Sequence, residues 1–214
     1  VIVNDCSTDG TKEIAENLSK SFKEIRVINF EGKKPTRREN LLRSFKYAKG
    51  DILGMTDADL STDIRALPML ISSVDDKTIV IGDRYNRKSN VKRSMKRWIV
   101  SKTMNYMTKF LFFEISRGSR DHFCGFKAFT KKTIMHILRY TRVGNNERSM
   151  YWDVEMLVYA NRLGYKIKVI PVKWKEMRWS TLNVFRESRI FVYMLKLWWK
   201  VRWMKKIKNG WMEN

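Results

Sequence analysis

Two aspartates one residue apart are the feature of the sequence that most clearly suggests chemistry. The apolar run Ile52–Met55 is typical of a short buried strand, and Asp57 and Asp59 follow it closely. Two carboxylates at a strand end can both address a divalent cation, directly or through water. Mg²⁺ and Mn²⁺ prefer such oxygen ligands and usually share them with substrate phosphates. An isolated pair of this type is more often two solvated aspartates in a turn, but the preceding strand favours the metal-site hypothesis.

The elements that would position these carboxylates alternate between strand-like and helix-like patterns. Short apolar runs predict strands at Val1–Val3, Ile25–Ile28, Ile52–Met55 and Ile79–Ile81. Apolar residues at helical spacing predict helices around Ile14–Leu18, Leu41–Ala48 and Ile64–Ser72. This alternation indicates an α/β fold with a mainly parallel sheet flanked by helices. Ligands of such sheets lie beyond the carboxyl ends of the strands. We therefore expect a metal and diphosphate site along one edge, formed by Asp5, Asp57, Asp59 and Arg84.

The second half of the chain is less regular and ends in a basic, aromatic tail. Val91–Phe113 is basic and amphipathic, Gly118–Gly125 is predicted to be a loop, Trp152–Leu163 a helix and Tyr165–Val172 a strand. Residues 182–214 carry tryptophans among many cations, which is typical of an amphipathic helix lying in a membrane interface. The alternative for this tail is a terminal helix packed on the domain.

The charge balance indicates an anionic partner. The chain has 44 Lys and Arg against 22 Asp and Glu, a formal net charge of +22, while 43% hydrophobic residues are enough for a buried core. Nucleic acid, an anionic membrane face and phosphorylated small molecules all fit this charge. Cys6 and Cys124 have no metal-like spacing and make no disulfide framework, so a reducing compartment is expected. We see no uninterrupted apolar run long enough for a transmembrane helix and no signal peptide.

Six segments, in order, resemble motifs of family 2 glycosyltransferases. Val3–Thr11 is similar to the family's VDDGSTDGT segment, with Cys6 in place of a glycine. Arg120–Phe129 resembles the RDTQCGFKLF segment of dolichyl-phosphate glucosyltransferases. The other four segments resemble the motifs MDADLS, GSRY, FDVELL and IPVNW, and they are Thr56–Ser61, Gly82–Tyr85, Trp152–Leu157 and Ile170–Trp174.

The resemblance implies a GT-A fold and an inverting transfer. A hexose, glucose or mannose, would pass from a UDP or GDP sugar to dolichyl or another polyprenyl phosphate, as in the dolichyl-phosphate glucosyltransferases and dolichol-phosphate mannose synthases. The catalytic domain is expected over 1–181 and an interfacial tail over 182–214, on a protein peripheral to the cytoplasmic face of a membrane. The family's first strand is expected to be missing from this sequence.

By the same resemblance, individual residues receive roles. Asp5 and Asp57 would contact the nucleotide, and Asp57 and Asp59 would serve the diphosphate and a Mg²⁺ or Mn²⁺ ion, with Ser61 near the metal. The predicted phosphate-binding residues are Arg84, Arg97 and Ser101. The predicted sugar and acceptor loop contains Asp121, Cys124, Gly125 and Phe126.

The nature of the acceptor decides whether a general base is needed. A phosphate monoester is largely dianionic at pH 7 and needs cations rather than a base. Cations suitable in kind are Arg84, Arg93, Arg97, Lys102 and Arg120. The alternative is a sugar hydroxyl acceptor in surface-glycan or polysaccharide assembly, which needs a carboxylate base. Asp153 and Glu155 are the catalytic candidates, although an acidic pair also suits a helix start. A non-enzymatic basic protein for membranes or nucleic acid ranks lowest, and no nucleic-acid partner is expected because no known binding motif is present.

Overall fold

The computed structural model describes residues 1–32, 35–36, 38–116, 118–141, 151–176 and 184–203, with the backbone alone for 184–190 and 203. These residues divide into two units. Residues 1–50 belong to the first unit, and residues 51–141 and 151–203 belong to the second. The predicted boundary between 181 and 182 lies outside the described residues and stays a prediction.

The first unit is built on a pair of parallel strands. Its elements are, in chain order, β1 (Ile2–Asp5), α1 (Thr11–Ser21), β2 (Val27–Phe30) and α2 (Glu39–Ser44). β1 runs parallel to β2, with Val3 opposite Ile28. α1 begins after Gly10, whose φ of 80° is a left-handed conformation that glycine adopts without strain. The predicted order of strand, helix and strand at the start of the chain is confirmed.

The second unit holds the other strands and helices. In chain order its first elements are β3 (Ile52–Met55), α3 (Leu67–Ser72), β4 (Thr78–Asp83), β5 (Asn90–Lys92), α4 (Met95–Leu111) and α5 (Phe113–Ser116). They are followed by β6 (Lys127–Thr130), α6 (Lys131–Leu138), α7 (Trp152–Arg162), β7 (Lys166–Pro171), β8 (Lys173–Lys175) and α8 (Val184–Trp203). The strands predicted at β3, β4 and β7 are confirmed, whereas the sequence patterns do not predict β5, β6 or β8.

A four-stranded sheet in the order β3-β6-β4-β7 forms the centre of the second unit. β4 and β7 are parallel, and β6 runs antiparallel to both of its neighbours, β3 and β4. Because β3 and β4 both oppose β6, they run in the same direction and their carboxyl ends share one edge with the start of β6. The mainly parallel α/β sheet expected from the sequence is therefore present, with one antiparallel strand inserted.

The core of the second unit lies on both sides of this sheet. Every residue of β4 is buried, and so are Trp152–Ala160 of α7. α8 packs on this unit through a stripe of buried residues at helical spacing, Met194, Leu197 and Val201. The helix predicted in the tail is thus confirmed and docked, at least for its described side chains. Among the residues that the structure describes, none of the helices combines the length and the hydropathy required to cross a bilayer.

Candidate active site

The acidic pair lies in a tight turn just past the carboxyl end of β3. Asp59 folds back on this turn, because its Oδ1 accepts from the Ser61 backbone N at 3.0 Å and its Oδ2 from the Ser61 Oγ at 2.8 Å. Between them, Leu60 has a φ of 52°, a left-handed conformation unusual for a branched residue. Ser61, predicted to lie near the metal, is 5% exposed and holds the Asp59 carboxylate. Its role toward a metal stays a prediction.

Asp57 lies next to Gly125, which belongs to the predicted sugar and acceptor loop. A Cβ placed on Gly125 would lie 2.7 Å from the Asp57 Cγ, closer than side chains tolerate. Only glycine at this position leaves room for the carboxylate where it now lies. The structure therefore brings together two residues that the sequence predicts separately, one for the diphosphate and metal and one for the sugar.

Arg84 follows β4 and is paired with Asp121. The Arg84 Nε and Nη2 donate to the Asp121 Oδ2 and Oδ1 at 2.5 and 2.8 Å, and the Arg84 backbone N donates to Oδ2 at 3.1 Å. Burial alone would raise the pKa of Asp121, but the Arg84 guanidinium outweighs it and keeps that pKa below its ordinary value. Two predicted site residues thus form one buried ion pair, which fixes the start of the loop that leads to Gly125.

β8 connects the acidic turn with the segment after β4. On one side, Thr62 forms an antiparallel bridge with Trp174, and the Lys175 backbone N donates to the Ser61 carbonyl at 2.8 Å. On the other side, β8 pairs in parallel with β5. The indole of Trp174 therefore lies on the strand between the acidic turn and β5.

Arg93 is the cation that stands out in this region. Its guanidinium lies 4.8 Å from the centre of the Trp174 ring and 5.8 Å from that of Tyr85, and Arg84 lies 5.7 Å from the same indole. Its Nε and Nη2 atoms are buried and have no hydrogen-bond partner within the described residues. Burial, followed by the nearby Arg84 charge, lowers the pKa of Arg93 from its ordinary value. An anion accepting from these nitrogens would satisfy them and relieve this repulsion.

The other predicted phosphate-binding residues are bonded within the protein. The Arg97 Nη1 pairs with the Glu176 Oε1 at 3.2 Å. The Ser101 hydroxyl lies 2.7 Å from that of Tyr85. These two residues surround the same region as Arg93, and their assignment to phosphate stays a prediction.

Buried side chains anchor the loop from Asp121 to Phe126 in the core. Cys124 and Phe126 are each 1% exposed and pack in the core with Val80, so they support the loop, and their assignment to the sugar and acceptor stays a prediction. Burial raises the pKa of the Cys124 thiol to about 11, which keeps it protonated at neutral pH. At the end of the loop, the buried Lys127 donates to the Cys124 carbonyl and to the Asp153 Oδ1. The sequence patterns do not identify Lys127 as a buried residue, because a lysine in a strand is ordinarily exposed.

The two carboxylates proposed as catalytic on α7 are both buried. Asp153 is 3% exposed and lies 2.6 Å from the Lys127 Nζ. Glu155 is 2% exposed and accepts from the Tyr193 hydroxyl of α8 at 2.9 Å. In this conformation they tie α7 to β6 and to α8. Their assignment as catalytic residues stays a prediction.

Asp5 lies at the end of β1 in the first unit. Its carboxylate accepts from the Asn40 Nδ2 at 2.7 Å and from the Thr36 hydroxyl at 3.1 and 3.2 Å. The following residue, Cys6, has a φ of 59°, which explains why the motif it resembles has a glycine there. The predicted contact of Asp5 with the nucleotide stays a prediction.

The oxygen ligands of the acidic turn suit a hard divalent cation. Within the described part of the chain, no three His, Cys, Asp or Glu side chains are grouped closely enough to hold a metal ion by themselves. Asp57 and Asp59 are the carboxylates that could hold a Mg²⁺ or Mn²⁺ ion together with oxygens of a bound phosphate, and this assignment stays a prediction.

A sheet of this order, with an acidic turn after β3 and a guanidinium group after β4, which runs in the same direction, defines an α/β protein whose site suits a phosphorylated ligand. The model of Glycosyl transferase family 2 matches residues 1–138, so the chain belongs to that family, as the six motifs predict.

Relatives with described activities cover most of this chain. Glycosyltransferase AglD of Haloferax volcanii is 29% identical over 94% of this chain and 31% of its own length. A dolichyl-phosphate beta-glucosyltransferase of Trichomonas vaginalis is 30% identical, over 94% of this chain and 64% of its own. The dolichyl-phosphate beta-glucosyltransferase of Saccharomyces cerevisiae is also 30% identical, over 88% and 60%. The chain thus spans less than two thirds of the length of these relatives.

A solved structure supports the fold. Glucosyl-3-phosphoglycerate synthase from Mycobacterium tuberculosis aligns with a TM-score of 0.54 and 14% identity, over 94% of this chain and 68% of that protein. At this identity the similarity concerns the fold alone, and it confirms the predicted GT-A type of α/β architecture.

Proposed function

We propose that this chain is the catalytic part of an inverting glycosyltransferase that moves a hexose, glucose or mannose, from a UDP or GDP sugar to dolichyl or another polyprenyl phosphate. Two relatives of similar identity are named dolichyl-phosphate beta-glucosyltransferases. The observation that carries the proposal is Arg93, a cation with buried N–H groups that have no partner within the described residues. It lies one residue past the end of β5, the strand that pairs with β8.

The acidic turn is assigned to the donor. Asp57 and Asp59 would hold Mg²⁺ or Mn²⁺ against the donor's diphosphate. When bound, the cation would neutralise the negative charge that develops on the diphosphate as the glycosidic bond breaks. The contact between Asp57 and Gly125 supports this assignment, because it places the carboxylate beside the loop expected to meet the sugar.

The guanidinium groups around Trp174 are assigned to the acceptor. A dianionic phosphate is already nucleophilic and needs cations that hold it against the repulsion of the diphosphate. Arg93 can donate to it, and Arg84 adds a second positive charge nearby. A sugar hydroxyl would need a base instead. Both candidates for that base, Asp153 and Glu155, are buried and bonded, so the geometry favours the phosphate acceptor.

The test is transfer from radiolabelled UDP-glucose and GDP-mannose, with Mn²⁺ and a polyprenyl phosphate. Label should enter the organic-extractable lipid. Label found only in soluble glycan, or in no product, would contradict the proposal. In the active protein, Asp59→Asn should abolish metal-dependent transfer, and unchanged turnover would reject the role of Asp59.

Arg93 itself is tested by Arg93→Gln beside Arg139→Gln, which removes the same charge from an exposed position. Losing charge-assisted hydrogen bonds of about 1.5–3 kcal/mol should lower kcat/KM for the acceptor by about tenfold or more. kcat/KM for the donor should change little. Equal behaviour of the two variants would remove Arg93 from the acceptor site.

A further inference from the structure

α4 presents a row of large apolar side chains to solvent. Met95, Ile99, Tyr106 and Phe110 are 70, 52, 61 and 87% exposed. Their separations of four, seven and four residues place them on one face of the helix. Phe113, 57% exposed, continues the row just past the end of α4. We call the four helical residues the outer face of α4.

The orientation of this face is fixed by the opposite side of the helix. Asn105 and Thr108 are buried there, at 6 and 0% exposure. The Asn105 Oδ1 accepts from the His122 backbone N at 2.9 Å, which ties α4 to the loop before β6. The outward direction of the apolar row is therefore a property of the folded unit.

A row of this kind is unusual for a surface that meets only water. Exposed apolar residues are normally scattered singly, whereas contiguous patches mark interaction sites. At 87% exposure, almost all of the Phe110 ring is left uncovered by the described residues.

The charges on α4 itself are positive. α4 has no acidic residue among its 17 positions, and Lys96, Lys102 and Lys109 lie along its flanks. A cavity of about 950 Å³ beside the helix is lined by Lys102 and Lys109 and by further cations from the neighbouring loops. These further cations are Arg87, Lys88 and Arg120, and Asp83 is the acidic residue among the described lining residues.

This combination fits an anionic membrane better than a protein partner. Lysine is depleted from protein–protein interfaces, whereas basic helices with aromatic and aliphatic faces bind in the headgroup region of anionic bilayers. The Lys102 Nζ lies 4.2 Å from the centre of the Trp98 ring, an aromatic and cation pair suited to the lipid–water boundary.

We propose that the outer face of α4 inserts into the headgroup region of an anionic membrane, while the cations of the adjacent cavity receive lipid phosphates. The proposal deepens the proposed function, on which it rests for a lipid acceptor. It assigns membrane contact to α4 rather than to the tail alone.

The experiment measures binding to phosphatidylcholine vesicles with and without phosphatidylserine, by flotation, for the intact chain. Ile99→Glu/Phe110→Glu is compared with Ile14→Glu/Phe22→Glu, which makes the same replacements at residues of the first unit that are 64 and 53% exposed. The α4 variant should lose at least about tenfold in partitioning to the anionic vesicles. The control should bind as the original chain does. Lys102→Gln/Lys109→Gln should weaken binding only to the vesicles that contain phosphatidylserine.

Three results would overturn the proposal. They are absence of binding by the original chain, equal binding by the two glutamate variants, and a shift of the α4 variant from dimer to monomer in lipid-free sedimentation. The last result would identify the outer face as a contact between copies of the chain. Vesicle binding is measured without donor or acceptor, so failure here is distinguishable from failure of the transfer assay.

Discussion

Replacing Gly125 with alanine should lower the rate of sugar transfer strongly while leaving the free energy of unfolding almost unchanged. The new Cβ would lie 2.7 Å from the Asp57 Cγ, so the carboxylate must move away from the loop. The backbone at Gly125 does not have a positive φ, and alanine adds no strain of that kind. Asp57 is exposed and its side chain can rotate, so we expect the free energy of unfolding to change by less than about 1 kcal/mol.

Turnover should respond much more strongly than stability. A displacement of about 1 Å in a group that positions the substrate can lower the rate by about a hundredfold, equivalent to about 2.7 kcal/mol of barrier. The assay measures kcat/KM for the nucleotide-sugar at saturating acceptor, together with urea unfolding of the same preparation.

The matched control is Gly54→Ala in β3. Its Cβ would meet the Leu67 Cδ1 at 3.6 Å, an ordinary van der Waals contact, so transfer should stay close to that of the original chain. Full turnover in Gly125→Ala would show that the present position of Asp57 is not needed for the reaction. Equal loss in both variants would show that the effect has nothing to do with the carboxylate.

Three further variants test the interior and the backbone. Lys127→Met leaves the buried Asp153 without its cation and should lower the free energy of unfolding in urea by about 3–5 kcal/mol. The control Lys132→Met changes an exposed lysine and should alter that free energy by under about 1 kcal/mol. Similar losses in the two variants would refute the role of the buried pair. Burial lowers the pKa of His122 to about 4 from its ordinary 6.5, so the unfolded chain takes up this proton first as pH falls. Stability should drop by about 2–3 kcal/mol between pH 7 and pH 4.5, and His122→Asn should remove that part of the drop; identical profiles would contradict this. Cys6→Gly relieves the strain of a left-handed φ of 59°, so it should raise the thermal midpoint and increase the free energy of unfolding by up to about 1 kcal/mol. A lower midpoint would mean that the contacts of the thiol stabilise the fold by more than the backbone strain destabilises it.

The sequence predicts the elements whose apolar pattern is local. The run Ile52–Met55 coincides with β3, and the predicted helix Trp152–Leu163 is found as α7 over Trp152–Arg162. β6 is not predictable in this way, because it is four residues long and is held by neighbours far along the chain. Its buried Lys127 contradicts the usual strand pattern, and only the partner 26 residues later makes that burial tolerable.

The roles of the cations in the candidate site likewise depend on contacts between residues far apart in the sequence. Composition identifies five suitable residues, and the family resemblance selects Arg84 and Arg97 from them rather than Arg93. The carboxylates that pair with the other two are 37 and 79 residues away, at Asp121 and Glu176. Which guanidinium keeps unpaired N–H groups is decided by tertiary structure alone.

The main-chain hydrogen bonds of β8 link the acidic turn to the segment that carries Arg93. The Asp63 backbone N donates to the Lys173 carbonyl at 2.9 Å on one flank, and the Glu176 backbone N donates to the Lys92 carbonyl at 2.9 Å on the other. A displacement of the acidic turn would therefore be transmitted through the main chain of β8 to the segment that carries Arg93.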